Sequence, residues 1–475
     1  MTPFGPLSLV TYLLIALQIV GAAPLPAVQA ADTLSASVDR IFGGWHRPDS
    51  PGASVLVLRN GETVHAKGYG MADLEHGVPI RPTTVFDIAS VSKQFAAMAV
   101  ALLEAEGRLA VDDDVREHIP ELPEFGQRIT IRHLVHHTSG LRDWPGTLAM
   151  AGWDYQDVIS FRQILGMAFH QRELNFVPGA EHAYSNTGYN LLAEIVARVS
   201  GVSFREFCEE RIFAPLGMRD THFHDDHTEI VLDRAHSFRR GPDGTYHLAW
   251  NTLTALGSSS LFTTAEDLAR WARNFEEPVV GGPAVIRRME ERGVLNGGDT
   301  IPYAWGQSLG RYRGLDVWSH GGSWAGYRTT LVRFPAQRFA IVILGNTAEM
   351  NPAALANRIA DVYLADAFTE PPPDTQQPPT VPEERWHPSA AELAEYAGEY
   401  HSDELFTSWR LEVVEGALVA RHFRRADVRL RPSERDRFRG DLFGEVRFAR
   451  DAAGTVTGFT ANQTRIRGLL FERVR

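Results

Sequence analysis

Residues 90–109, "SVSKQFAAMAVALLEAEGRL", form a helical stretch that is apolar on nearly every side and stops at Gly107. A helix without a polar face has to lie in the middle of a fold, with other elements packed around it. Strand patterns flank this segment at a distance. "GASVLVLRNGETVHAKGYG" (52–70) reads as two alternating strands joined at Asn60-Gly61, and strands return at 301–310, 326–334 and 338–346. Helical segments are expected around 158–170, 188–200, 203–212 and 264–275. Strands at both ends with helices between them predict an α+β fold, an antiparallel sheet backed by a helical cluster.

A boundary falls at 369–388, where seven prolines among twenty positions make an extended linker. Beyond it, 389–475 holds one short helix and then a run of strands with turns at Glu415-Gly416 and Ala453-Gly454, which predicts a small up-and-down β-barrel or curved sheet. At the other end, the apolar run 7–23 and "PLPAVQA", with Val28 and Ala30 at a small-x-small site, read as a signal peptide over 1–30. The first domain would then cover 31–368. The chain is expected to be exported, periplasmic or secreted, rather than held by an uncleaved anchor. A net charge of −12 and the lack of any basic run speak against partners such as nucleic acid or an anionic membrane surface. Cys208 is the only cysteine, so an intramolecular disulfide and a multi-cysteine metal site are excluded, and it reads as a buried helix residue.

The chain has only two lysines, Lys67 and Lys93, which leaves 45 arginines among 47 basic residues. Arginine does not lose its proton, whereas a buried lysine becomes a neutral base. Ser90 and Lys93 form an S-x-x-K pair whose members share one helix face. Serine is a weak nucleophile that needs a base within hydrogen-bond reach, and burial at the positive end of a helix pushes a lysine toward neutrality. Free N–H groups at the same turn can stabilise an oxyanion.

Two further stretches matter. "AYSNTGYN" contains the Y-x-N triplet Tyr184-Ser185-Asn186, and "WSHGGSWAGY" contains His320-Gly321-Gly322 ahead of an expected strand. In this order the three motifs resemble the S-x-x-K, Y-x-N and K/H-x-G set of the serine β-lactamase and penicillin-binding-protein superfamily, and in particular its class C-like branch of D-aminopeptidases, DD-carboxypeptidases and carboxylesterases. The resemblance extends through "PGASVLVLRNGE", "HTSGL" and "TTAEDLARWARNF" and covers roughly 45–365, while the C-terminal barrel is similar to the lipocalin-like domain some of these peptidases carry. It implies that Ser90 attacks a carbonyl, with Lys93 as general base. Tyr184 would share the proton network and protonate the leaving group. Asn186 would orient Lys93 and the substrate, and the backbone N–H groups of Ser90 and Ser323, on an edge strand, would form the oxyanion hole. His320 and Gly322 would border the substrate. No metal or other cofactor is implied. Expected partners are a small peptide, amide or ester and, as an option left open, further copies of the chain.

Where β-lactamases carry a lysine in the third motif, this chain has His320, mostly neutral near pH 7 and a weaker hold on a substrate carboxylate. D-amino-acid peptides, amides or esters are therefore expected ahead of penicillins, although Arg328 could supply the charge. Carboxylester hydrolysis or weak β-lactamase activity on the same residues is the alternative within this class. A non-catalytic sensor of cell-wall peptide is the alternative from another, and the intact Ser90, Lys93 and Tyr184 argue against it. "THFHDDHTEI", with His222, His224 and His227, suggests a zinc site but matches no H-E-x-x-H spacing, and reads as a surface loop. His136 or His137 as a triad base is less favoured because Lys93 fills that role. No G-x-S-x-G pentad is present, which removes an α/β-hydrolase.

Overall fold

The computed structural model describes residues 26–372 and 386–474. The apolar run of the expected signal peptide therefore lies outside the described residues, as does the middle of the proline-rich linker, 373–385. Helix α1 (Pro26–Phe42) runs through the expected cleavage point. Among the described residues no helix is long and apolar enough to cross a membrane.

Seven antiparallel strands make the main sheet: β1 (Ala53–Arg59), β2 (Glu62–Tyr69), β3 (Tyr303–Ala304), β4 (Gln307–Tyr312), β5 (Leu315–Trp324), β6 (Tyr327–Phe334) and β7 (Phe339–Gly345). Their spatial order is β3-β4-β5-β6-β7-β1-β2. The β1–β2 turn is the expected one: Asn60 and Gly61 have φ of 54° and 78°, the left-handed pair that a two-residue hairpin needs. Alternation along β1 divides the molecule into two cores. Val55 and Val57 pack with α1 and the helix after β7, whereas Leu56 and Leu58 face the central helices.

The apolar segment lies where its composition requires. Helix α2 (Lys93–Ala105) buries every side chain from Lys93 to Leu103, and it packs against α4 (Asn186–Ser200), with α3 (Trp144–Met150) beside α4. The α-helix begins three residues later than the sequence suggests, because Ala89–Ser92 forms a 3₁₀ turn that carries Ser90.

Two expectations about the third motif are corrected. His320-Gly321-Gly322 lies inside β5 rather than before a strand, and β5 is flanked by β4 and β6 rather than sitting at the edge. The pairing of β4 with β5 stops at Ser308 opposite Ser319, however. Residues 320–324 thus have a partner only on the β6 side, which leaves a local edge beside Ser90.

The C-terminal part is a closed eight-stranded barrel: β8 (Gly398–Ser402), β9 (Thr407–Val414), β10 (Ala417–His422), β11 (Arg425–Glu434), β12 (Arg437–Gly440), β13 (Gly444–Arg450), β14 (Val456–Gln463) and β15 (Ile466–Arg473). It is closed by pairing of Tyr400 with Arg473. It packs on α3: Met150 belongs to the barrel core, and Trp409 Nε1 donates to the Met150 carbonyl at 2.8 Å.

Candidate active site

The turn that presents Ser90 is held from several sides. Ala89, with φ of 46°, is forced into the left-handed region, and its N–H donates to Asp87 Oδ1 at 2.7 Å. Asp87 is fully buried, with Asn251 Nδ2 on its other oxygen, and burial raises its carboxyl to about 6. From the sheet, Thr329 Oγ1 donates to the Ile88 carbonyl at 2.9 Å. Gly322 has to be glycine, because a Cβ there would lie 2.0 Å from that same carbonyl.

Lys93 is completely buried. Its Nζ lies 2.7 Å from Asn186 Oδ1, 2.7 Å from the Ser258 carbonyl and 3.2 Å from Ser90 Oγ. Burial holds its pKa well below the usual lysine value, with the Asp143 carboxylate opposing and the Arg465 guanidinium adding to the depression. A neutral amine has two N–H bonds and one lone pair. Two neighbours, an amide oxygen and a carbonyl, can only accept, so they take the N–H bonds and leave the lone pair for the Ser90 proton.

The Asn186 orientation follows from the next layer. Its N–H and Nδ2 both donate to Asp143 Oδ1, at 2.7 and 2.9 Å, which turns Oδ1 toward Lys93. Asp143 Oδ2 in turn accepts from Arg465 Nη1 at 3.1 Å. Arg465 comes from the β14–β15 turn of the barrel and stacks 4.6 Å from the Tyr184 ring centre. Tyr184 is half-buried, and its phenol pKa is raised by desolvation, against the pull of the Ser90 hydroxyl, so it rests protonated. His137 takes no part as a base. Its Nδ1 accepts the Ser185 N–H at 3.1 Å and its ring packs 4.2 Å from Tyr184, so it positions the Y-x-N turn. His136 is tied to the carbonyls of Arg132 and Glu291.

His320 is buried, and burial followed by the nearby Lys93 lowers its pKa to about 3. Its Nδ1 donates to the Gly321 carbonyl and its Nε2 accepts from the Tyr303 hydroxyl. It is therefore neutral, as expected. Arg328 is half-buried, with Nη1 on the carbonyls of Ala325 and Tyr327.

Ser90, Tyr184, Asn186, His320, Ser323 and Arg465 meet on one cavity of about 870 Å³. Of the residues expected at the site from sequence, Ser90, Tyr184, Asn186, His320, Gly322 and Ser323 line it, and Lys93 lies behind Ser90 without lining it. Trp144, Tyr155 and Trp324 form an aromatic wall, with centroids 5.7 Å and 5.5 Å apart. Sequence reasoning missed Asp143, the Ser258 carbonyl, Asp87 and Arg465. An acid two residues beyond "HTSGL" was a signal for the first, while the other three are contacts across more than 160 residues or within an unremarkable turn.

Arg465 gives a directional prediction. Replacing it with Gln removes a positive charge that depresses the Lys93 pKa and unmasks Asp143, which raises it. Both changes favour the protonated amine, so the acid limb of the kcat/KM–pH profile should move to higher pH. An unmoved limb accompanied by a lower plateau would assign Arg465 a structural role only.

Residues 38–366 match the family described as Beta-lactamase. The chain is 27% identical to a D-aminopeptidase of Gluconobacter oxydans over 69% of this chain and 61% of that protein, and so spans about three fifths of that relative's length. It is 30% identical to penicillin-binding protein 4* of Bacillus subtilis, over 62% of this chain and 68% of that protein. Two solved structures share the fold. One is the octameric penicillin-binding protein homologue from Pyrococcus abyssi (TM-score 0.61, 22% identity, 94% of this chain and 100% of that one). The other is the D-amino acid amidase from Ochrobactrum anthropi SV3 complexed with L-phenylalanine amide (TM-score 0.61, 21% identity, 70% and 99%). With its three motifs converging on one cavity and more than half its length matched, the chain belongs to the beta-lactamase family.

Proposed function

We propose that the chain is a serine hydrolase that cleaves small amides or esters, D-amino-acid peptides and amides foremost, through an acyl-enzyme on Ser90. The observation that carries this reading is the Lys93 amine, buried and pointed by two pure acceptors at the Ser90 hydroxyl. Ser90 Oγ attacks the carbonyl as Lys93 takes its proton, and the N–H groups of Ser90 and Ser323 receive the oxyanion. Tyr184, protonated at rest, gives a proton to the leaving amine or alcohol, and its phenolate then accepts one from the water that releases the acyl group. The aromatic wall suits an apolar or aromatic side chain on the substrate. Asp143, the one carboxylate among the described residues that line the cavity, meets a substrate amine in exchange with Arg465. Similarity to a D-aminopeptidase supports the substrate class.

The test compares the wild-type chain with Ser90→Ala on D-alanyl-p-nitroanilide and p-nitrophenyl butyrate. Anilide turnover that falls by about 10³-fold or more in Ser90→Ala is the expected result. Ester turnover alone would move the assignment to carboxylesterase. Acylation by penicillin without turnover of either compound would make the protein a sensor.

Neutral His320 offers a penicillin carboxylate no charge, so β-lactam hydrolysis should be weak. His320→Lys is expected to raise the rate of acylation by penicillin G, read with a fluorescent penicillin. No gain would mean that Arg328 or Arg465 already fills that role.

Export is part of this reading and requires the secreted or periplasmic chain to begin at Ala31, which N-terminal sequencing decides. Self-assembly is part of it too, supported by an octameric relative, and light scattering at the mass of a single chain would remove it.

A further inference from the structure

The segment "THFHDDHTEI" is only in part the surface loop that its sequence suggests: Asp225–Thr228 are exposed, whereas its first residues are not. His222 opens a short strand, His222–Phe223, which pairs with Leu261–Thr263, and that strand pairs with Phe86–Asp87. His224 follows with its backbone N–H on the Ser260 carbonyl at 2.8 Å, and only 2% of the residue is exposed. Being two residues apart on extended backbone, the two imidazoles lie on the same side, with ring centroids 5.7 Å apart. His222 Nε2 and His224 Nδ1 are buried, and neither has a hydrogen-bond partner among the described residues. Buried imidazole nitrogens are ordinarily paired, so two orphans side by side call for a ligand. Glu229 provides the third group: its Oε2 is 3.7 Å from His224 Nδ1. One ligand atom from each of His222, His224 and Glu229 falls within 4.8 Å of the others.

We propose that His222, His224 and Glu229 bind a divalent transition-metal cation, Zn²⁺ by the chemistry of the donors, at a site apart from the catalytic centre. Two neutral imidazoles and one carboxylate are the ligands this ion takes, with water completing the shell. Zn–N bonds of about 2.0–2.1 Å in a tetrahedral site separate donor atoms by roughly 3.3 Å. Binding would draw the three donors together from separations of up to 4.8 Å. Arg205 is the competing feature, because its guanidinium bonds both Glu229 oxygens, at 2.6 and 2.8 Å. Each carboxylate oxygen has a second lone pair, and a ligating carboxylate held by an outer hydrogen bond is the usual arrangement in metal sites. Arg205 also holds Asp225 at 2.8 Å, which fixes the loop that brings Glu229 back over the strand.

The ion would clip Glu229 to the His222–Phe223 strand, which reaches Phe86–Asp87, the entry to the Ser90 turn, through Leu261–Thr263. Its role is therefore structural, and the hydrolytic residues do not depend on it for chemistry.

The experiment uses the full chain without an affinity tag, stripped with chelator and dialysed. Titration with Zn²⁺ by calorimetry should show one ion per chain. The double substitution His222→Gln with His224→Gln should weaken binding by more than about 100-fold, since loss of even an outer-shell partner costs 10–100-fold. Retained turnover at Ser90 would show that this variant is folded. Should it not fold, Co²⁺ added to the unaltered protein decides: the intense ligand-field bands of a low-coordinate nitrogen-ligated ion support the site. Absence of stoichiometric binding, equal binding by the double variant, or a cobalt spectrum no different from the aquo ion would overturn it.

Discussion

Lys93→Met should lower kcat/KM by about 10²–10⁴-fold, the contribution of a positioned general base, while leaving the fold in place. Methionine matches the length and apolar stem of lysine, so the buried channel is filled rather than emptied. What is lost is the lone pair facing Ser90 Oγ. Lys93→Arg would not rescue activity, because a guanidinium keeps its proton at any working pH. The pH dependence separates catalysis from packing. In the folded protein the Lys93 pKa is held well below its usual value, so the amine is neutral in the working range and activity falls as pH drops through that lowered pKa. In the unfolded chain the same lysine binds a proton up to about pH 10.4. The unfolded state thus holds more protons between the two values, and stability rises with pH across that window. Above about pH 7, beyond the range where the buried histidines add a rise of their own, Lys93→Met removes both signatures together. A variant that lost activity yet kept the rise of stability with pH would show that Lys93 was charged in the native state, and the base would have to be sought elsewhere.

The parts of this site that were legible in the sequence are those whose chemistry leaves few substitutes. A nucleophile needs a base one helical turn away, and in a chain with 45 arginines the choice of lysine at 93 was informative. Tyr184, Asn186 and His320 followed by resemblance, since their order along the chain matches a known set. Strand β5 escaped because "LDVWSHGGSW" does not alternate and its glycine pair looks like a turn; Gly322 is there so that the strand can pass against the Ile88 carbonyl. Asp143 and Arg465 escaped for a different reason. Each acts through a partner, Asp143 by turning Asn186 and Arg465 by pairing with Asp143, and such roles exist only once distant segments meet. The barrel strands were readable from alternation and turn residues. That the barrel would supply a cation to the cavity was not, because docking depends on how two finished surfaces fit.

A buried ion pair is among the contacts that hold that docking, and Glu404→Ala should cost about 3–5 kcal/mol, the penalty for leaving a buried charge without its partner. Arg142 Nη1 reaches both Glu404 oxygens, at 2.7 and 2.6 Å, and its side chain is 2% exposed against 9% for Glu404. Arg142 Nη2 donates to the Arg467 carbonyl, two residues past Arg465, and Glu404 Oε2 also accepts the Arg172 N–H. Hence the pair ties the β8–β9 turn and the start of β15 to the residue next to Asp143. The Arg467–Glu181 pair across the same interface is 40% and 48% exposed, and there Glu181→Ala should cost only about 0–1 kcal/mol. Urea unfolding of the two variants, followed by tryptophan fluorescence, gives the comparison, since Trp409 lies where the barrel meets α3. Glu404→Ala should also shift the acid limb of activity upward, in the direction expected for Arg465→Gln, because a loosened barrel no longer holds Arg465 against Asp143. Similar small losses in both variants would mean that Arg142 reaches water when unpaired. The barrel would then rest on the catalytic domain through its apolar contacts with α3, and the position of Arg465 would have to be set by the β14–β15 turn alone.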